Sequence, residues 1–147
     1  MEKYIIYTDG GSRGNPGKAA VGVVICNEKG QELKKYGEFL GEELTNNDAE
    51  YKAIIFALKK FKAIFGKKTA ESADIEFRAD SELVVKQLNG EYRLSDPKIQ
   101  QFFLEIWNLK FDFNSVKFKH ILREQNKEAD RLVNEALDGQ GSSRKLF

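Results

Sequence analysis

A chain of 147 residues has the length of one ordinary domain, and its 24 Lys and Arg against 23 Asp and Glu leave a formal charge of +1. That balance excludes a protein drawn to nucleic acid by its overall field, so any such binding must come from local patches. A single cysteine, Cys26, excludes an intrachain disulfide, a single histidine, His120, excludes multi-histidine zinc sites, and no apolar run approaches the roughly 20 residues of a membrane span.

Tyr4 to Thr8 is apolar on both faces and predicts a central strand, ending at Asp9 and opening into the glycine-rich run Gly10-Gly11-Ser12-Arg13-Gly14-Asn15-Pro16-Gly17. Val21 to Cys26 and Leu33 to Leu40 predict two more strands, a meander turned at Glu28-Lys29-Gly30. Asn47, with Glu50 three residues on, reads as the cap and acidic first turn of a long helix through Ala53, Ile54, Ala57, Leu58, Phe61 and Phe65. Ala73 to Ala79 alternates apolar and charged residues, a half-covered strand ending at Asp80. Ser81 caps a helix to Leu88, and Asp96-Pro97 starts another through Trp107. Val116 to Leu122 predicts the last strand. Asn126 begins a helix with Ala129, Leu132, Val133, Ala136 and Leu137 on one face. Residues 1–138 are expected to form one catalytic domain and 139–147 a flexible tail. The order βββαβααβα gives an α/β protein with a mixed sheet, whose ligands gather at the carboxyl ends of its parallel strands.

Basic residues cluster at Lys59-Lys60-Lys62 with Lys67-Lys68, at Lys117, Lys119 and Arg123, and at Arg144-Lys145. For the first group a solvated helix face is the plainer reading. The acidic residues stand out more: Asp9 and Asp80 at strand ends, Glu50 near a helix start, Asp130 beside Ala129 on the border of an apolar stripe. Each alone has an ordinary explanation, such as an acid favoured at a helix start. As a set, at one edge of a sheet, they suit a hard divalent cation.

Four ordered motifs, Thr8-Asp9-Gly10-Gly11-Ser12 with Gly14-Asn15-Pro16-Gly17, Thr45-Asn46-Asn47-x-x-Glu50, Ala79-Asp80-Ser81 and Asn126-x-x-Ala129-Asp130, resemble the type 1 ribonuclease H family over nearly the whole chain. The resemblance implies the ribonuclease H-like fold: a five-stranded mixed sheet of order 3-2-1-4-5 with helices on both faces. It also implies an endoribonuclease that cuts the RNA strand of RNA–DNA hybrids and leaves 5′-phosphate and 3′-hydroxyl ends. Asp9, Glu50, Asp80 and Asp130 match the family's metal-binding carboxylates. They would hold two Mg²⁺, with Mn²⁺ as a substitute, about 3.5–4 Å apart. Gly10, Gly11, Ser12, Asn15, Thr45, Asn46, Asn47 and Ser81 match its substrate contacts.

The chain departs from the family in three places. No basic handle fits between Asn89 and Pro97, and Glu43 stands where some members carry a basic phosphate contact. In place of a mobile histidine the loop offers Arg123 as the group to reach the scissile phosphate, His120 falling inside the last strand. The expected partner is an RNA–DNA hybrid duplex, bound by a monomer in the cytoplasm with no membrane contact. A relative that also cuts duplex RNA, a non-catalytic nucleic-acid-binding module, and the nuclease domain of a reverse transcriptase stay open as alternatives.

Overall fold

The computed structural model describes residues 2–142. Three antiparallel strands, β1 (Glu2–Arg13), β2 (Gly17–Asn27) and β3 (Glu32–Leu44), lead into the long helix α1 (Asn46–Phe65) and the short α2 (Lys67–Glu71). Then follow β4 (Ala73–Ala79), α3 (Glu82–Leu88), α4 (Pro97–Lys110), β5 (Ser115–His120), a 3-10 turn (Arg123–Gln125) and α5 (Lys127–Ser142). The sheet order is β3-β2-β1-β4-β5, with β1 parallel to β4 and β4 parallel to β5.

Strand alternation sorts the side chains between two layers. Tyr4, Ile6, Val23, Ile25, Ile75, Phe77 and Val116 pack under α1, α3 and α4 with Tyr51, Leu58, Phe61, Val84 and Ile106. Ile5, Val24 and Cys26 on the opposite face meet Leu132, and Ala20 meets Val133 and Leu137, all on α5. Full burial of side chains such as Phe61 and Phe77 stabilises the fold by about 1.5–3 kcal/mol each. Helices therefore lie on both faces, and the two layers hold the elements that bear the acidic residues. Cys26 is a buried free thiol.

Several boundaries differ from the sequence reading. β1 does not stop before Asp9; it runs on through the glycines to Arg13, because Gly10, Gly11 and Ser12 pair in register with Val21, Ala20 and Ala19 of β2. Its parallel pairing with β4 does stop, at Tyr7 opposite Arg78, so Asp9 still lies just past that junction. The cap of α1 is Thr45, not Asn47. Its hydroxyl accepts from Asp48 N at 3.0 Å while Asp48 Oδ2 accepts from Thr45 N at 3.0 Å, which places Glu50 beyond the first turn. β5 ends at His120, which is exposed, and α5 begins at Lys127. The short α2 went unread because five residues are too few to show a period. α5 extends past 138 to Ser142, so the first part of the expected tail is helical; residues 143–147, with Arg144 and Lys145, lie outside the described residues.

The lysine-rich first patch is a helix face, as read. Lys59 pairs with Glu105, Lys62 pairs with Asp112, and Lys60 lies over the rings of Tyr36 and Phe56. Between α3 and α4 residues 89–96 run directly across, with no inserted helix. Among the described residues no helix is long and apolar enough to cross a membrane.

Candidate active site

Two glycines bring the acid-bearing helices onto the sheet. A Cβ on Gly10 would stand 2.3 Å from the carbonyl of Ala49, so only glycine lets α1 seat Glu50 beside Asp9. Gly22 pairs with Asp9 across β1 and β2, and a Cβ there would stand 2.1 Å from the carbonyl oxygen of Ala129. That contact seats α5 with Asp130 against the same point of the sheet. β4 delivers Asp80 one residue past its last strand position.

The resulting electrostatics are those of crowded like charges. Burial, then the charges of Asp80, Glu50 and Asp130, then a hydrogen bond with Asp130, push the Asp9 carboxyl up to about 8. Glu50 is pushed up to about 7, chiefly by burial; a hydrogen bond from the Ser81 hydroxyl pulls the other way, the Asp80 charge adds to the rise, and Arg123 opposes it. Each of these causes disfavours a charged Asp9 carboxylate in the metal-free protein. A divalent cation relieves the same repulsion, and an all-oxygen donor set fits Mg²⁺ or Mn²⁺ chemically. As the side chains stand, no three Asp, Glu, His or Cys groups among the described residues are close enough around one point to grip an ion.

A groove of about 270 Å³ opens over this cluster, lined among others by Asp9, Glu50, Asp130, Arg123, Asn46 and Ser12. Asp80 lies at its margin, with its Oδ2 4.0 Å from Nε of the exposed Arg123. Ser81 caps α3, accepting from Val84 N at 3.3 Å. The expected substrate contacts hold one another: Asn46 Oδ1 accepts from Ser12 N at 2.9 Å, and Asn46 N donates to Asn15 Oδ1 at 3.0 Å. Asn47 is exposed at the start of α1, and the Thr45 hydroxyl is engaged in the cap. Gly10 and Gly11 line the groove from β1. His120 is not among the lining residues.

Three residues escaped the sequence reading. Arg13 and Asn134 line the groove, tied to each other by a 3.3 Å hydrogen bond, with Arg13 also paired to Asp138. Lys98 reaches back from α4 to Asp48 at 2.7 Å; burial alone would raise that carboxyl, but bonds from Lys98 and Thr45 hold it below the usual range. Their partners lie tens of residues away, so no local pattern marks them.

A mixed sheet of order 3-2-1-4-5 with an acidic cluster beside the end of its central parallel pair defines a ribonuclease H-like protein. The reverse transcriptase-like family matches residues 7–136. The chain is 43% identical over 132 residues to ribonuclease HI of Halobacterium salinarum, covering 90% of this chain and 63% of that one. It is 32% identical to a bifunctional protein of Mycobacterium tuberculosis, of which it spans 37% while 96% of this chain is covered. The chain thus spans less than two thirds of these curated relatives. Among solved structures it is similar to the LC11 RNase H1 isolated from compost, with 47% identity, a TM-score of 0.88 and coverage of 97% of this chain and 100% of that one. The same LC11 protein, solved in complex with an RNA/DNA hybrid, superposes with a TM-score of 0.89 at 46% identity, covering 95% and 99%. The chain belongs to the type 1 ribonuclease H family.

Proposed function

We propose that this protein is a metal-dependent endonuclease that hydrolyses the RNA strand of RNA–DNA hybrids, leaving 5′-phosphate and 3′-hydroxyl ends. The observation that carries the reading is the electrostatic coupling of Asp9 to Glu50, Asp80 and Asp130 from four separate segments, with Asp9, Glu50 and Asp130 lining one groove and Asp80 4.0 Å from the Arg123 that also lines it. These carboxylates would hold two Mg²⁺, or Mn²⁺ in their place. Bound there, the ions supply an activated water and offset the charge that develops on the leaving oxygen.

The chain's own groups prepare that chemistry. Burial disfavours the Glu50 anion and the Ser81 hydroxyl favours it, which keeps an acceptor available for the 2′-hydroxyl that separates RNA from DNA in a wide minor groove. Arg123, exposed beside Asp80, brings a positive charge within reach of a backbone phosphate. The Ser12–Asn46–Asn15 network presents a pre-ordered polar edge, flanked by Gly10, Gly11, Thr45, Asn47 and Ser81, along which a duplex can lie without ordering those groups anew. The same reading has the protein act as a monomer in the cytoplasm.

The test is cleavage by the purified protein of matched hybrid, duplex RNA and duplex DNA, with and without Mg²⁺. Hybrid is expected to be cut only with the ion, giving 5′-phosphate ends, and Asp9→Asn to abolish cutting. An intact hybrid with both Mg²⁺ and Mn²⁺ would leave a binding module as the answer.

A further inference from the structure

We propose that Asn126 is a positioning residue that fixes Asp130 and Arg123 relative to Asp9; the proposal deepens the hydrolytic reading and rests on it. Asn126 is 1% exposed, and its Nδ2 donates to the carbonyl of Thr8, the residue before Asp9, at 2.9 Å across 118 residues of chain. Its backbone carbonyl accepts from Asp130 N at 3.1 Å, and its backbone N–H donates to the Arg123 carbonyl at 2.9 Å. One residue therefore bonds directly to Arg123 and Asp130 and, through its side chain, to the peptide carbonyl that precedes Asp9.

The other half of the carboxamide separates positioning from packing. Asn126 Oδ1 is buried without a hydrogen-bond partner. An unpaired buried acceptor is destabilising, whereas the Nδ2 half of the same amide supplies a donor to the carbonyl of buried Thr8. The one side-chain bond that the amide makes lands at Thr8, the residue before Asp9. Gly22 presses α5 onto the sheet from β2, but a close contact sets only an approach distance. The directional bond from Asn126 sets the register of α5 along β1.

The experiment compares the wild type with Asn126→Ala, Asn126→Leu and Ile106→Ala. Ile106 is a fully buried residue in the opposite layer, so its variant controls for lost stability. Hybrid cleavage is measured where circular dichroism shows each protein folded, and Mn²⁺ affinity is measured by calorimetry. Both Asn126 variants are expected to lose about 10- to 100-fold in kcat, with KM for the hybrid within about threefold. Mn²⁺ is expected to bind about 10-fold more weakly. Ile106→Ala keeps both values. Asn126→Leu leaves no cavity, so it remains informative should the alanine variant not fold. A folded Asn126 variant with wild-type kcat and Mn²⁺ affinity overturns the proposal, as does an equal loss in Ile106→Ala. If the wild type fails to cut hybrid, the hydrolytic reading falls by itself. The Mn²⁺ titration then decides Asn126, an unchanged affinity refuting it.

Discussion

Replacing Gly22 by alanine tests the way the sheet positions Asp130. The new Cβ would lie 2.1 Å from the Ala129 carbonyl oxygen, 3.0 Å from its carbon and 3.1 Å from Leu132 Cβ. Ordinary contacts need well over 3 Å, so α5 and β2 must separate by about 1 Å at this point. Neither partner is a flexible tip: one is helix backbone, the other the central part of a strand paired on both sides. Overpacking of this kind costs about 1–3 kcal/mol, which for a domain of this size lowers the melting temperature by roughly 3–10 °C. Asp130 follows Ala129 and moves with it, and under the proposed hydrolysis a displacement of ~1 Å there costs about 100-fold in rate. Thermal denaturation by circular dichroism and hybrid cleavage at a temperature where the variant is folded measure the two effects. Gly30→Ala is the control. Its φ of +84° makes alanine there unfavourable by ~1 kcal/mol, but nothing lies within 4 Å of the new Cβ and Gly30 does not line the groove, so its rate holds. A Gly22→Ala protein with wild-type activity and melting temperature would refute the reasoning, and so would an equal rate loss in the control.

Two further outcomes follow from the charges. Asp9 and Glu50 titrate in the folded, metal-free protein at about 8 and about 7, against ordinary values of 3.8 and 4.5. The folded state then holds protons that the unfolded chain has released, so this contribution to stability is full below about pH 4 and is lost as the pH rises toward 8. The melting temperature of the metal-free protein is expected to fall from pH 5 to pH 9, Mg²⁺ to restore it at pH 9, and Asp9→Asn to flatten the slope; a flat wild-type profile would contradict this. Lys98→Ala leaves the buried Asp48 without its ammonium partner and loosens the turn that bears Asn46 and Asn47. A loss of about 1–3 kcal/mol and a raised KM for hybrid are expected, and an unchanged KM would separate this ion pair from substrate binding.

Much of the fold was legible because periodicity is local. Ala73–Ala79 alternates strictly and is β4 to the residue; Ser81 and Asp96 cap the helices that follow them, as their side chains predict. The start of α1 shows where local reading fails. Asn47 with Glu50 and Thr45 with Asp48 are equally good capping pairs by spacing. The choice fell to the second because Lys98, fifty residues on, neutralises Asp48, while Glu50 is drawn into the acidic cluster. The first strand likewise read as ending at Asp9, and it runs on through the glycines because β2 offers them a partner.

The sequence by itself determined the order of the strands and the longer helices, the two-faced apolar patterning and which acids stand beside chain turns, because those depend on neighbours within a few residues. Tertiary structure alone decided that Gly22 lies opposite Asp9, that Asn126 bonds to Thr8, and that four carboxylates share one field. Hydrogen bonds and close contacts act over a few ångströms, and only the folded sheet brings groups such as Thr8 and Asn126, 118 residues apart, within that range.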